Sequence, residues 1–255
     1  MIRLEARDLT LTAGERVLCR NVSVGFSAGE NWVILGANGS GKTTLLHTLA
    51  GLRAPARGSV HLDGQDVRSW RARERARQLG LLFQDYARAF PGSVLDTVIT
   101  GRHPHLGRWE FEGESDRRRA RDALRDVGLA SFVDRQLATL SGGERRRTEI
   151  AALLTQDAPI GLWDEPTNHL DLRHQGEILR QLSQRAQRPR HVNLFVLHDV
   201  NAAQRLCSHA LLLFPEGDAL AGPMADIVTR ATLERVYGCT FHEIADGTQR
   251  YFVPH

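Results

Sequence analysis

At 255 residues, with 42% hydrophobic and 25% charged positions and no internal repeat, the chain has the composition of a folded globular protein, which excludes disordered and fibrous classes. The net charge of +3 arises from 33 basic residues interspersed with 30 acidic ones, as in Arg71 to Arg77 around Glu74; that pattern reads as a solvated helix face and argues against a nucleic-acid partner. No apolar run reaches the roughly 18 residues that span a bilayer, and Met1-Ile2-Arg3-Leu4-Glu5 lacks a secretory apolar core, so a cytosolic chain is expected. Cys19, Cys207 and Cys239 are odd in number, far apart and without a C-x-x-C pair, the pattern of free thiols. Lys42 is the only lysine, so 32 basic residues are arginine. A general arginine bias spared one position, where a compact ammonium on a flexible stem does what a planar guanidinium cannot.

Taken in chain order, Leu4 to Leu11 and Val17 to Phe26, separated by Ala13-Gly14-Glu15, predict antiparallel strands. Asn31 to Leu35 is a short apolar strand that stops at a glycine-rich loop, and Thr43 to Leu49 is helical. Arg68 to Gln78 reads as helix and Gly80 to Phe83 as a strand ending at Gln84. From about Tyr86 to Asp157 helix patterns dominate, including Ser115 to Val127 and Glu144 to Leu154, the outline of an inserted helical subdomain. Strands then return at Ile160 to Trp163, Val192 to Leu197 and Ala210 to Phe214, alternating with helical Leu172 to Gln187 and Asn201 to Cys207. Such alternation implies a parallel sheet covered on both faces. The expected division is core and β subdomain at about 1–85 and 158–225, helical subdomain at about 86–157, and a C-terminal helix and hairpin at 226–255.

Gly36-Ala37-Asn38-Gly39-Ser40-Gly41-Lys42-Thr43 fits the P-loop pattern G-x-x-x-x-G-K-[ST] between a strand and a helix. Its glycines let backbone N–H groups converge on phosphates, Lys42 reaches the β and γ phosphates of a nucleotide, and the Thr43 hydroxyl ligates Mg2+. Ile160 to Trp163 leads into Asp164-Glu165, carboxylates suited to holding magnesium and polarising an attacking water. Gly161 and Trp163 are unusual residues for a buried strand. Leu140-Ser141-Gly142-Gly143-Glu144 opens a helix 23 residues before Asp164 and supplies a second anion cradle. One cradle suffices for a kinase; a second implies that it serves another molecule's ATP.

In these residues the chain resembles the ATP-binding cassette (ABC) family, whose signature is this serine-glycine-glycine loop between the P-loop and the acidic strand end. The resemblance spans nearly the whole chain and takes in Gln84 as the glutamine lid, Pro166-Thr167-Asn168-His169-Leu170-Asp171 as the D-loop, and His198-Asp199 as the switch. It implies an α/β fold: a P-loop NTPase (RecA-like) core with an antiparallel β subdomain and an inserted helical subdomain. It further implies ATP as substrate with Mg2+, bound by Gly36 to Thr43 together with Thr44, the metal ligands being Thr43, Gln84 and Asp164. Two copies would pair head to tail, so that Ser141, Gly142 and Gly143 of one cap the γ-phosphate held by Lys42 of the other. Glu165 would activate water, His198 would contact the γ-phosphate, Gln84 would sense it, and Asp171 would link the two sites. For His198 the bland alternative is a cap on the helix at Asn201.

Gly101-Arg102-His103-Pro104-His105, Asp171-Leu172-Arg173-His174-Gln175, Val236-Tyr237-Gly238 and Phe252-Val253-Pro254 look like the importer ATPases for iron-siderophores, haem and vitamin B12. Those sit on the cytoplasmic face of the inner membrane beneath a dimeric permease fed by a periplasmic binding protein. Two departures stand out. Where the family carries an aromatic that stacks on adenine, this chain has Thr10 to Ala13, and Arg146 replaces a glutamine on a helix face expected to lie beyond the cradle, with little effect on hydrolysis. Rival readings are a soluble P-loop ATPase or kinase uncoupled from transport, a DNA-repair ATPase and a tandem-cassette translation factor; the last two would need a coiled-coil insert or a second cassette.

Overall fold

Apolar residues on alternate positions either side of the Gly14 turn draw β1 (Ile2–Ala13) and β2 (Arg16–Ser27) into the expected antiparallel pair, with Ala13 opposite Arg16. Leu4, Ala6, Leu9 and Leu11 of β1 are all buried. The computed structural model describes residues 2–84, 92–247 and 249–255, so residues 86–91 of the expected helical stretch lie outside the described residues. Its contacts divide the chain into one unit of Met1–Ser69 with Ser183–His255 and another of Trp70–Leu182.

In the first unit, β1 and β2 are extended by β4 (Arg57–Leu62) and β5 (Gln65–Asp66), giving an antiparallel sheet in the order β2-β1-β4-β5. A second sheet of this unit is centred on β3 (Asn31–Gly36), whose Trp32 to Leu35 run is buried throughout, as a strand covered on both faces requires. β3 lies parallel to β8 (Val192–Val196) on one side and β9 (His209–Leu213) on the other, and β10 (Ala219–Pro223) closes the edge antiparallel to β9. Ile34 pairs with Val196, so Gly36 and His198, two residues further along each chain segment, reach the same C-terminal edge. That edge is where open parallel sheets place their ligands. The helices of this unit are α1 (Lys42–Leu49), α7 (Val200–Leu206), α8 (Met224–Ile227) and α9 (Arg230–Tyr237), and the chain ends in the hairpin β11 (Phe241–Asp246) and β12 (Gln249–Pro254).

The second unit holds α2 (Ala72–Gln78), β6 (Leu79–Leu82), α3 (Val94–Ile99), α4 (Glu114–Asp126), α5 (Gly142–Gln156), β7 (Ile160–Asp164) and most of α6 (Leu172–Gln184). β6 and β7 are parallel with Leu82 opposite Trp163, which brings Gln84 alongside Glu165 just past the strand ends. The glycine in β7 has a packing context: Gly161 pairs with Gly80, and a Cβ on Gly80 would lie 2.6 Å from Leu153 Cδ1 of α5. Trp163 is only 1% exposed.

Candidate ATP-binding and hydrolysis site

The P-loop joins β3 to α1 and is shaped by glycine where no other residue fits. Gly41 caps α1 with φ of 100°, a left-handed conformation, and a Cβ there would meet Leu18 Cβ at 2.9 Å. A Cβ on Gly36 would fall 2.3 Å from Ser40 Oγ. Lys42 is buried and its Nζ donates to Gly36 O (2.8 Å) and Ala37 O (3.0 Å), holding the ammonium over the start of the loop. The first turn of α1 has no acidic residue, so its N–H groups and positive dipole end are left to an anion. Ser40 Oγ is buried with no hydrogen-bond partner among the described residues, an orphan that a phosphate oxygen would satisfy. Asn38 and Gly39 are exposed, and Ala37, Thr43 and Thr44 are half-buried along the same loop and helix start.

Asp164 and Glu165 close β7 at 0% and 7% exposure. Glu165 has φ of 48°, a left-handed backbone that costs a non-glycine residue about 1–2 kcal/mol and so must be held by its surroundings. Part of the hold is Asn168, whose backbone N–H donates to Glu165 O (3.1 Å) and whose side-chain amide donates to Glu165 Oε2 (2.5 Å). The rest comes from Arg146. Contrary to the expectation of a peripheral face, Arg146 is 3% exposed and donates to the backbone oxygens of both Asp164 and Glu165. Neither Asn168 nor Arg146 was singled out by the sequence pattern as a support for the base.

Ser141 is the N-cap of α5, accepting from Glu144 N (3.3 Å) while Glu144 Oε2 accepts from Ser141 N (2.8 Å). This capping box is written in the sequence as S-x-x-E. The Ser141 backbone N–H and hydroxyl hold the Glu144 carboxyl below its ordinary range. Gly142 and Gly143 occupy the first helix positions, whose N–H groups have no carbonyl four residues back. The D-loop presses against them: a Cβ on Gly143 would sit 2.8 Å from His169 O, and one on Gly142 would sit 3.5 Å from His169 Cβ. Ser141, Gly142, Gly143, Arg147, His169 and His174 line a cavity of ≈ 490 Å³, three of them carrying or able to carry positive charge, with the Glu144 carboxyl also on its wall and engaged by Ser141. Asp171 borders it and is committed to α6, its Oδ1 accepting from the His174 backbone N–H and lying 2.9 Å from Nδ1 of the same residue. The backbone bond, followed by the ring contact, keeps the Asp171 carboxyl low.

His198 follows β8 and is exposed, but it is not the cap of the next helix: Asp199 caps α7, accepting from Asn201 N (2.8 Å) and Ala202 N (3.1 Å). The bland reading of His198 is thereby removed. On the β1–β2 hairpin no aromatic stands near the P-loop. Arg16 Nη1 is instead the nearest atom to a Cβ built on Gly39, at 3.8 Å, and Arg53 holds the Thr12 carbonyl (2.6 Å). Phe26 and Trp32 cannot substitute, being buried at 0% and 4%, with Trp32 stacked on His209 and its Nε1 donating to Glu30. ATP and GTP are therefore expected to give kcat/KM values within about tenfold of each other, and Thr12→Tyr to tighten ATP by a stacking increment of about 1–3 kcal/mol. A thousandfold preference for ATP over a nucleotide lacking its base, unchanged in Thr12→Tyr, would show another group holding adenine.

The chain thus holds a strand-borne phosphate loop in one unit and, in the other, a strand ending in two buried carboxylates and a second anion cradle at a helix start; these define a nucleotide-hydrolysing P-loop protein. The sequence pattern of the family described as ABC transporter matches residues 19–168, and the chain belongs to the ABC transporter family, as one of its ATPases. It is 39% identical to the ferric enterobactin transport ATP-binding protein FepC of Escherichia coli K12, over 92% of this chain and 87% of that protein. It is 36% identical to the hemin import ATP-binding protein HmuV of Bordetella bronchiseptica, over 96% and 95%. Among solved structures it is similar to the dimeric post-hydrolysis state of the ATP-binding cassette MJ0796 bound to ADP and Pi, with TM-score 0.76, 26% identity and coverage of 87% and 98%. An inward-facing ABC transporter assigned to the metal-chelate type matches with TM-score 0.85 and 25% identity over 100% of this chain and 98% of that one.

Proposed function

We propose that two copies of this chain pair head to tail around two ATP molecules and drive a membrane permease that imports a ferric siderophore or haem. The observation that carries the reading is the division of phosphate-binding equipment: a P-loop in one unit, and in the other a glycine-lined cavity at the start of α5 that the chain's own P-loop chemistry does not require. In the dimer, the N–H groups of Gly142 and Gly143 and the Ser141 hydroxyl cap the γ-phosphate held by Lys42 of the partner copy. Glu165 accepts a proton from the attacking water, Gln84 and His198 contact the γ-phosphate, and Asp171 links the two sites.

Thr43, Asp164 and Gln84 offer a hydroxyl, a carboxylate and an amide, hard oxygen donors that suit Mg2+. Among the described residues no group of three or more His, Cys, Asp or Glu forms a metal cage, so the ion would complete its shell with phosphate and water. When bound it neutralises charge developing on the β and γ phosphates.

No helix among the described residues is long and apolar enough to cross a membrane, so force must pass by contact to a permease at the cytoplasmic face of the inner membrane. A cavity of ≈ 210 Å³ between β6, α3 and α5, bordered by Leu81, Phe83, Thr97, Leu137, Arg145 and Leu153, is a socket of suitable apolar character beside Gln84 for a cytoplasmic segment of that permease. This class of cargo is supported by the relatives, which are transport proteins for ferric enterobactin, petrobactin and hemin. The test is ATPase activity of the chain reconstituted with a candidate permease and periplasmic binding protein of the siderophore or haem type. A binding protein loaded with a ferric siderophore or haem is expected to stimulate hydrolysis, and cobalamin not to. Equal rates with and without permease under every load would favour an uncoupled soluble ATPase.

A further inference from the structure

A guanidinium in a protein interior is costly unless most of its donors are matched. Arg146, five positions along from the cap of α5, has both terminal nitrogens matched, mainly by backbone, while its buried Nε has no hydrogen-bond partner among the described residues. Nη2 donates to Asp164 O (2.5 Å) and Glu165 O (2.9 Å); Nη1 donates to Phe83 O (2.6 Å) and to Glu149 Oε2 (2.9 Å). The three carbonyls belong to the places where β6 and β7 stop and the chemistry starts: Phe83 precedes Gln84, and Asp164 and Glu165 are the carboxylates themselves. One of them is the carbonyl of the residue with φ of 48°, and Glu165 departs from strand geometry at just this point. Burial pushes the Glu149 carboxyl up, and the neighbouring Arg146 opposes that shift, so a buried guanidinium pairs with a half-buried carboxylate on successive turns of α5.

We propose that Arg146 is a positioning residue for ATP hydrolysis: one guanidinium locks the left-handed turn that aims Glu165 and ties Gln84 and Glu165 to the helix that begins at Ser141. Any displacement of α5 is then carried to the base and to the glutamine together. A planar fork suits this task, because a single nitrogen with two N–H groups spans two consecutive carbonyls while the other nitrogen reaches a second strand; an ammonium has donors but no fixed spread. The inference rests on the reading of Glu165 as the base.

The test is steady-state ATPase kinetics and ATP titration on the full chain for Arg146→Gln, Arg146→Lys, Glu149→Gln, Glu165→Gln and the Arg146→Gln/Glu165→Gln double variant. A misaimed base costs on the order of 100-fold, so Arg146→Gln is expected to lower kcat roughly 10- to 100-fold with KM and ATP affinity within about threefold of wild type. Arg146→Lys should recover only part of kcat, and Glu149→Gln, which keeps the three carbonyl bonds, should stay within about threefold. If Arg146 acts through Glu165, the double variant is no more than about twofold slower than Glu165→Gln alone. Wild-type kcat in Arg146→Gln, or losses that multiply in the double variant, overturns the proposal. Should Arg146→Gln fail to fold, Arg146→Lys against Glu149→Gln decides, and equal losses overturn it. Wild-type activity in Glu165→Gln would instead overturn the reading of the base, a distinct result.

Discussion

Glu165→Gln is expected to keep ATP binding and to slow hydrolysis roughly 100- to 10,000-fold, the usual worth of a positioned general base. The substitution is nearly isosteric, and the amide oxygen can still accept the Asn168 side-chain N–H that now reaches Oε2. The Arg146 bonds run to the backbone and are untouched. Folding should therefore be preserved while the proton acceptor is lost. ATP then stays bound between the two half-sites, and size-exclusion chromatography with ATP at high micromolar protein should show a dimer. Monomer alone under those conditions would count against head-to-tail pairing.

Ser141→Arg is expected to abolish hydrolysis at least 100-fold while leaving the chain's own P-loop able to bind ATP within about threefold of wild type, since removing a single donor to a developing charge already costs about that much. An arginine at this position pushes a long side chain into the cavity that Gly142, Gly143, His169 and His174 line. It also removes the N-cap of α5, at a cost of about 0.5–2 kcal/mol. That cost should not melt the helix, because Ile150 and Ala151 further along it are fully buried. Equilibrium binding of ATP, set beside the steady-state rate, separates the two effects; parallel loss of both would mean that the loop serves folding or cis binding.

The phosphate loop was legible because phosphate binding imposes a local rule: glycine at Gly36 and Gly41, an amine at Lys42, a strand before and a helix after. Short, wholly buried strands such as β3 and β8 were legible for a similar reason, their apolar runs leaving little choice. β10 was not, since Ala219 to Pro223 is an edge strand with no buried residue, and β4 offers only Val60 and Leu62 to the core. The pairing of Gln84 with Glu165 depends on strand register, which periodicity does not report. The role of Asp199 in place of His198 turned on which of two adjacent polar residues faces the helix start. Arg146 was least legible of all. Its three backbone acceptors come from segments up to 63 residues away, and a charged residue inside an arginine-rich run, Arg145-Arg146-Arg147, reads as surface.

The claim that one chain completes its partner's site is tested most directly by mixing two inactive variants, Lys42→Ala, which disables the P-loop, and Ser141→Arg, which disables the loop offered to the partner. A mixed dimer contains one site with an intact Lys42 facing an intact Ser141 and one site with neither. ATPase activity should return on mixing, up to half of the wild-type rate per dimer if the sites act independently, and in proportion to the heterodimer formed. Heterodimers shown to form, yet with no recovered hydrolysis at any ratio, would contradict the account.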